Sequence, residues 1–146
     1  MRAIARTVAG LEALQPLALL AARLYVAQVF FLAGLSKLRD WDITLALFAD
    51  EYRVPLLPSG VAAWLGTGGE LVLPLLLALG LCGRVAALGL FVVNAVAVIS
   101  LAEIGPAALQ QHQFWGSLLL GLLLWGPGCW SVDGWVRKRW LPAADA

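Results

Sequence analysis

Glu70 is the residue whose surroundings most strongly suggest chemistry, because it is the one charged side chain in the apolar stretch of residues 61–81. A charge at the centre of a bilayer costs roughly 3 kcal/mol or more, so such a residue faces other protein groups and has a partner. Pro74 follows four residues later and has no N–H to bond the Glu70 carbonyl. Gly66 and Gly69 allow a neighbouring backbone to come close. The pattern predicts a polar, locally broken point in the middle of a membrane helix.

Two amide side chains are expected at a similar depth in neighbouring apolar stretches. At ~1.5 Å per helical residue, Gln28 in the first stretch and Asn94 in the third fall near the level of Glu70, close to the midplane. Buried polar groups in membranes pair with one another because they are otherwise unsatisfied. We therefore interpret Gln28 and Asn94 first as structural partners and second as ligand-binding groups.

Two basic residues and a histidine complete the predicted site. Arg23 falls nearer the cytoplasm than Glu70, whereas Lys37 and His112 fall near the outer surface. We expect a polar pocket centred on Glu70, with Arg23 or Lys37 as counter-charge, that accepts a small polar head group such as a quinone ring. A purely structural ion pair is the equal alternative. His112 alone does not make a metal site, so no metal is expected, and a proton-accepting or interface role suits it better.

The composition excludes several classes of protein. Of the 146 residues, 62% are hydrophobic and 13% are charged, whereas a soluble domain has roughly 45–50% and 25%. We expect one integral membrane domain over residues 1–146, in contact with the lipid bilayer. A net charge of +1 provides no basic surface for nucleic acid. The sequence has no dinucleotide fingerprint and no autonomous catalytic motif, so no covalently bound cofactor is expected.

The two cysteines, Cys82 and Cys129, both map to the predicted cytoplasmic end. Thiols normally stay reduced in that compartment, and the two residues form no C-x-x-C motif. Two independent reduced thiols are therefore expected, with a redox pair as the alternative.

The elements that must position these groups are helices. We predict an all-α integral membrane four-helix bundle, because four stretches of the chain are long enough to cross a bilayer. A spanning helix needs ~20 apolar residues, and the fourth stretch reaches this length only if it includes the polar residues 108–113. The spans are predicted at residues 17–38, 61–81, 85–102 and 108–125. Short interfacial helices are predicted at residues 1–15, with Pro16 starting the next helix, at residues 40–52, with Asp40 as N-cap, and at the C-terminus after Ser131.

The basic residues predict the orientation of the chain. Four spans place both termini on the same side of the membrane. The opposite side carries fewer cations, and acidic residues offset their charge. The cations on the side of the termini are Arg2, Arg6, Arg84, Arg137, Lys138 and Arg139. The positive-inside rule makes this side cytoplasmic, so both termini of the multi-pass protein are predicted to lie in the cytoplasm.

Four short stretches, taken in order, carry a resemblance to a known family. They are Arg23 with Lys37; Phe48 and Tyr52 followed by Pro55-Leu56-Leu57-Pro58; Gly69-Glu70-Leu71 with Pro74, then Gly80, Arg84 and Ala86-Ala87; and Gly126-Pro127-Gly128 followed by Ser131-Val132-Asp133. In this order and spacing they resemble the DoxX family of small bacterial membrane proteins, over roughly residues 20–133. MauE-type proteins of methylamine utilisation look similar in the first two spans.

The resemblance implies a four-helix bundle in a bacterial inner membrane and a place in quinone-linked sulfur or thiol redox systems. DoxX-like subunits are associated with thiosulfate:quinone oxidoreductase and with membrane complexes that handle oxidative stress. By position, Arg23, Lys37, Glu70 and Arg84 resemble the recurring charged residues of the family. Nothing here matches a dithiol active site, which argues against thiol oxidation by this chain alone.

Two functions of different classes follow. The leading hypothesis is a membrane subunit of a quinone-linked redox system, in which the bundle binds a quinone-like head group or anchors a redox partner. The alternative is a non-enzymatic membrane anchor or assembly factor that docks a partner protein on the helix at residues 40–52. A small-solute transporter is a third hypothesis and requires oligomers. A protein partner or a homo-oligomer is expected in each case.

Overall fold

The chain folds into six helices in a computed structural model, which describes residues 1–140. Residues 141–146 of the predicted single domain lie outside the described residues. The helices are α1 (Arg2–Arg39), α2 (Trp41–Asp50), α3 (Ser59–Leu79), α4 (Gly83–Ser100), α5 (Pro106–Trp125) and α6 (Val132–Trp140). The described part of the chain contains no strand, only an isolated bridge between Tyr52 and Leu101. The all-α prediction is confirmed.

Four long helices pack around a common apolar core. Helix α1 packs against α3, α3 against α4 and α4 against α5, and α5 returns to contact α1. The core residues are Val26, Phe30, Leu77, Ala86, Ala87, Leu90, Leu119 and Leu122. The outward faces of these helices are also apolar and are exposed, with examples in Leu24, Leu32, Val72, Leu75, Val92 and Leu120. A surface of this kind is satisfied by lipid rather than by water.

Three of the described helices are long and apolar enough to cross a membrane. They comprise Ile4–Arg39 in α1, Ser59–Leu79 and Gly83–Ser100. The chain is therefore a membrane protein in contact with the bilayer. Helix α5 has 20 residues but is not among the three, and its first turns carry the polar run from Gln110 to Gln113.

Helix α1 differs from the prediction near its start. A separate helix over residues 1–15, ending before Pro16, was expected. Instead, α1 is one continuous helix of 38 residues that contains Pro16. A proline removes one backbone hydrogen bond and clashes with the carbonyl four residues earlier, but it leaves the remaining bonds of the helix intact. The apolar side chains of the first turns, including Ile4 and Leu11, are exposed.

Helix α3 is likewise continuous through its proline. The local break expected near Glu70 is not found. The helix continues past Pro74, whose side chain is fully buried. The close approach of a neighbouring backbone does occur, but at a glycine of α1. A Cβ on Gly34 would lie 3.1 Å from the Glu70 carbonyl carbon and 2.9 Å from Leu71 Cγ. Gly34 therefore sets how closely and at which register α1 lies against α3.

The helix ends are held by side-chain and turn interactions. Asp40 caps α2 as predicted, since its carboxylate accepts a hydrogen bond from the Ile43 N–H at 3.2 Å. Ser131 Oγ accepts one from the Gly134 N–H at 3.0 Å and so caps α6. Asp133 accepts bonds from Cys82 N–H and Gly83 N–H at 2.9 and 2.7 Å. This carboxylate thus ties the start of α6 to the start of α4.

Candidate functional site

A cavity of about 430 Å³ lies at the end of the bundle where α2 packs. We call this end the α2 end; it includes residues 51–58 and 101–105, and the opposite end, with the 80–82 turn, residues 126–131 and α6, is the α6 end. Most of the cavity wall is apolar, formed by side chains such as Phe30, Phe48, Leu65, Val93 and Val96. The polar residues in the wall are Lys37, Tyr52, Glu70, Ser100 and His112.

The centre of the polar wall is an ion pair between α1 and α3. Lys37 Nζ lies 2.5 Å from Glu70 Oε2, and the two side chains are only 23% and 10% exposed. Of the two counter-charges predicted for Glu70, the structure thus brings Lys37 to the carboxylate. Thr44 of α2 donates its hydroxyl hydrogen to the Lys37 or Asp40 carbonyl, at 2.9 and 3.0 Å, which fixes the corner that carries Lys37.

Asn94 and His112 form a second polar contact, between α4 and α5. The Asn94 amide nitrogen donates to the His112 carbonyl at 2.9 Å, and Asn94 Oδ1 lies 2.8 Å from His112 Nδ1. Different depths were expected for these two residues, near the midplane for Asn94 and near the outer surface for His112. The structure brings them into contact, because α5 lies in a register on α4 that counting along each helix does not determine.

Tyr52 lines the cavity and was not among the predicted site residues. Its ring stacks edge-on against Phe48 at a centroid distance of 5.0 Å. Burial raises the pKa of the Tyr52 hydroxyl, and the negative charges of Glu51 and Glu70 raise it further. The sequence signal for Tyr52 is its position just before Pro55-Leu56-Leu57-Pro58, in one of the four stretches that carry the family resemblance.

Two predicted site residues do not reach this cavity. Gln28 is exposed. It also lies far from Glu70, because Glu70 is level with the segment from Gly34 to Lys37, further along α1. Arg23 is buried near the α6 end, where its Nη2 donates to the Trp130 carbonyl at 2.7 Å. Its other two nitrogens have no hydrogen-bond partner among the described residues. Arg23 thus connects α1 to the segment before α6.

Both cysteines lie at the α6 end. Cys82 and Cys129 are free and exposed, and they line a second cavity of about 350 Å³ together with Arg84 and Arg137. No cluster of three or more metal-ligating side chains occurs within residues 1–140. The structure therefore brings the two thiols to one cavity without joining them.

The cavity at the α2 end offers a limited chemical repertoire. Lys37 can donate hydrogen bonds to a ligand oxygen, Glu70 and His112 can accept or release a proton, and the apolar wall can hold a ring. None of these groups can carry electrons by itself. The arrangement suits binding and proton transfer at a membrane-embedded pocket.

Fold and composition together define a small helical membrane protein with a partly polar cavity at the α2 end of its helices. The DoxX family model matches residues 18–103. An uncharacterized membrane protein of Mycobacterium tuberculosis, Rv3486, is 34% identical over an alignment that covers 88% of this chain and 87% of the relative. No solved structure gives a significant match. The chain belongs to the DoxX family.

Proposed function

We propose that this protein is a four-span subunit of a quinone-linked redox system, which binds a quinone-like head group in the cavity at the α2 end. The observation that carries the proposal is the Lys37–Glu70 ion pair on the wall of a mostly apolar cavity of about 430 Å³. This volume falls within the roughly 300–1,000 Å³ of small-molecule pockets. Intramembrane charges are expensive and usually mark a site of use.

The fourth span of the proposed bundle is α5. Its 20 residues are long enough to cross, and its polar first turns are partly satisfied within the protein, since the His112 ring and carbonyl both bond to Asn94. Four crossings put the N-terminus and the α6 end on the cytoplasmic side of a bacterial inner membrane. The basic residues of α6, Arg137, Lys138 and Arg139, agree with that orientation.

The residues of the cavity fit a head group that carries oxygens on a flat ring. A bound quinone would supply the electron-accepting chemistry that the side chains lack. Lys37 would donate a hydrogen bond to a ring oxygen. Glu70 would set the position of the Lys37 ammonium group and exchange a proton with that group. The apolar wall, with Phe48 and Val93, would hold the ring and exclude water.

The proposal is tested by measuring quinone in protein purified in mild detergent. Mass spectrometry of the extracted lipids should detect about one quinone per wild-type chain. Glu70→Gln should lower this content severalfold, because the neutral amide no longer holds Lys37 beside the cavity. Glu12→Gln is the matched control, since Glu12 is exposed and far from the cavity, and its quinone content should equal that of the wild type.

Two results would contradict the proposal. One is wild-type protein that is folded, by its helical circular dichroism and melting, but carries no quinone and binds none when naphthoquinone is added. The other is an unchanged quinone content in Glu70→Gln.

The second candidate function is a membrane anchor or assembly factor that holds a partner protein at the α2 end. The observation that favours it is the apolar surface there: Leu56 is fully exposed in a left-handed backbone conformation with φ of +66°, and Ile43 on α2 is 58% exposed. Charged substitutions at both positions should release a co-purifying protein and leave quinone content unchanged. If they lower quinone content instead, the anchor hypothesis loses its support.

A further inference from the structure

We propose that His112, held in one tautomer by Asn94, accepts a hydrogen bond from a hydroxyl group of the ligand, so that the cavity prefers a ring with an O–H group to the same ring without one. The inference rests on the proposed function in one respect, that the ligand occupies the cavity at the α2 end. It adds a specificity-determining residue and a chemical class of ligand, a hydroxylated ring.

The first step is the orientation of the Asn94 amide. Its side-chain nitrogen lies 2.9 Å from the His112 carbonyl oxygen, which can only accept a hydrogen bond. The opposite amide orientation would set two acceptor oxygens against each other. The network therefore assigns the amide nitrogen to the carbonyl and leaves Asn94 Oδ1 facing the histidine ring.

The second step is the tautomer of His112. Asn94 Oδ1 is an acceptor and lies 2.8 Å from His112 Nδ1, so Nδ1 carries the hydrogen. A neutral imidazole with hydrogen on Nδ1 has a lone pair on Nε2. No described residue donates a hydrogen bond to Nε2, and besides its bond to Asn94 the ring makes an edge contact with Trp115, at a centroid distance of 5.1 Å. Because His112 lines the cavity, Nε2 is the acceptor that it offers to a ligand.

The third step is that the pair is part of the packed interior. Asn94 is 5% exposed. Gly116 of α5 lies opposite it, and the missing side chain of this glycine leaves room for the Asn94 amide. A Cβ on Gly116 would lie 3.3 Å from the Asn94 amide nitrogen, which is tighter than an ordinary contact. Asn94 is thus fixed between α4 and α5, and it fixes the histidine in turn.

The two polar walls of the cavity then have opposite hydrogen-bonding character. On the α1–α3 side, Lys37 is a donor, and Glu70 is engaged by it. On the α4–α5 side, His112 is an acceptor. The remaining titratable residue in the wall is Tyr52, on the loop that follows α2. A ring with an acceptor oxygen at one edge and a hydroxyl at another is complementary to both walls.

The test compares two redox-inert probes that differ in one hydrogen-bond donor. 1-Naphthol carries an O–H group, whereas 1-methoxynaphthalene has a methyl group in place of that hydrogen. Affinities are measured by equilibrium dialysis against purified protein in lipid nanodiscs. Wild-type protein should bind 1-naphthol about tenfold more tightly, as expected for one buried hydrogen bond. His112→Phe should bind the two probes with equal affinity.

Three further variants make the test specific. His112→Gln restores an acceptor oxygen and should regain part of the preference. Asn94→Leu frees the tautomer and should reduce the preference. Ser117→Ala is the control on the same helix, because Ser117 is exposed and bonds only to the Phe114 carbonyl, and it should keep the full preference. If His112→Phe does not fold, the comparison of His112→Gln with Asn94→Leu carries the test.

The outcomes separate this inference from the proposed function. Equal binding of both probes by wild-type protein that still carries quinone overturns the role of His112 alone. A preference that persists in His112→Phe does the same. Failure of wild-type protein to bind naphthoquinone and both probes overturns the cavity as a ligand site and the inference with it.

Discussion

At the scale of single residues, the buried charges are divided between the two ends of the bundle. Lys37 and Glu70 neutralise each other at the α2 end, whereas Arg23 at the α6 end is held by a backbone carbonyl. A buried ion pair is weak evidence of stability, because removing both charges is often neutral, but removing one leaves an uncompensated charge. The ion pair can therefore be tested by comparing the stabilities of single and double variants, without any ligand.

The first prediction concerns that asymmetry. Lys37→Met leaves the Glu70 carboxylate buried without a counter-charge, so the free energy of unfolding should fall by about 2–3 kcal/mol. The double variant Lys37→Met, Glu70→Gln should recover most of this loss. Both are measured by denaturant or thermal unfolding in detergent. Equal losses in the single and double variants would show that the charges do not interact.

The second prediction concerns Tyr52. Its pKa is raised by burial and by the charges of Glu51 and Glu70, so it should ionise above the usual value of ~10. Phe in place of Tyr25 leaves Tyr52 as the sole tyrosine, and tyrosinate absorbance follows its titration. Because the pKa in the folded state exceeds that of the unfolded state, the stability contributed by the neutral hydroxyl is fully present below pH ~10 and is lost as the pH rises through the folded value.

A matched pair of variants checks the cause of the shift. Glu51→Gln should lower the pKa of Tyr52, because it removes a neighbouring negative charge. Asp42→Asn, at the other end of α2, should leave the titration unchanged. A midpoint at the usual value of free tyrosine in the parent protein would contradict the buried position of the hydroxyl.

At the scale of helices, the ends of α3, α4 and α5 were predictable, but the start of α1 and the registers between helices were not. Apolar length and the Gly and Pro residues around 55–60, 80–83 and 126–128 located α3, α4 and α5 to within a few residues. Counting depth along each helix placed Gln28 beside Glu70, because it assumes that neighbouring helices are aligned by their centres. The register of α1 on α3 instead follows from the packing of Gly34 against Glu70 and Leu71, a contact between residues that are distant in sequence.

The third prediction tests that packing. Gly34→Ala should destabilise the protein by about 1–3 kcal/mol, since the added methyl would lie 2.9 Å from Leu71 Cγ and 3.1 Å from the Glu70 carbonyl carbon. Gly10→Ala in the same helix is the control: nothing lies within 4 Å of its added Cβ, and alanine favours the helix by about 0.5–1 kcal/mol. Melting temperatures that rise in both variants would refute the close approach of α1 and α3.

At the scale of the whole molecule, α1 is longer than a bilayer requires. Its 38 residues extend about 57 Å at ~1.5 Å per residue, against a hydrocarbon core of ~30 Å. With Lys37 beside the cavity at the α2 end, the excess length lies at the N-terminus, where the apolar side chains are exposed. The proposed orientation directs this extension toward the cytoplasm.

The fourth prediction tests the orientation. Cys82 and Cys129 are exposed at the α6 end, which the proposal makes cytoplasmic. A membrane-impermeant maleimide should label them in inverted vesicles and not in intact spheroplasts. In a variant with both cysteines replaced by serine, Leu56→Cys at the opposite end should give the reverse pattern, because Leu56 is fully exposed. Labelling of the native cysteines from outside would show that the orientation is opposite to the one proposed.

The Lys37–Glu70 contact has a consequence for biogenesis. Helix α1 leaves the ribosome carrying Lys37, and the carboxylate that neutralises it arrives 33 residues later, in the middle of α3. A charge at the centre of a helix costs a few kcal/mol during insertion, so Glu70 makes α3 costly to insert alone, whereas Lys37 lies in the last turn of α1 and can reach the headgroups. Helix α3 is therefore expected to reach its final energy in lipid only after it packs against α1 and Glu70 meets Lys37.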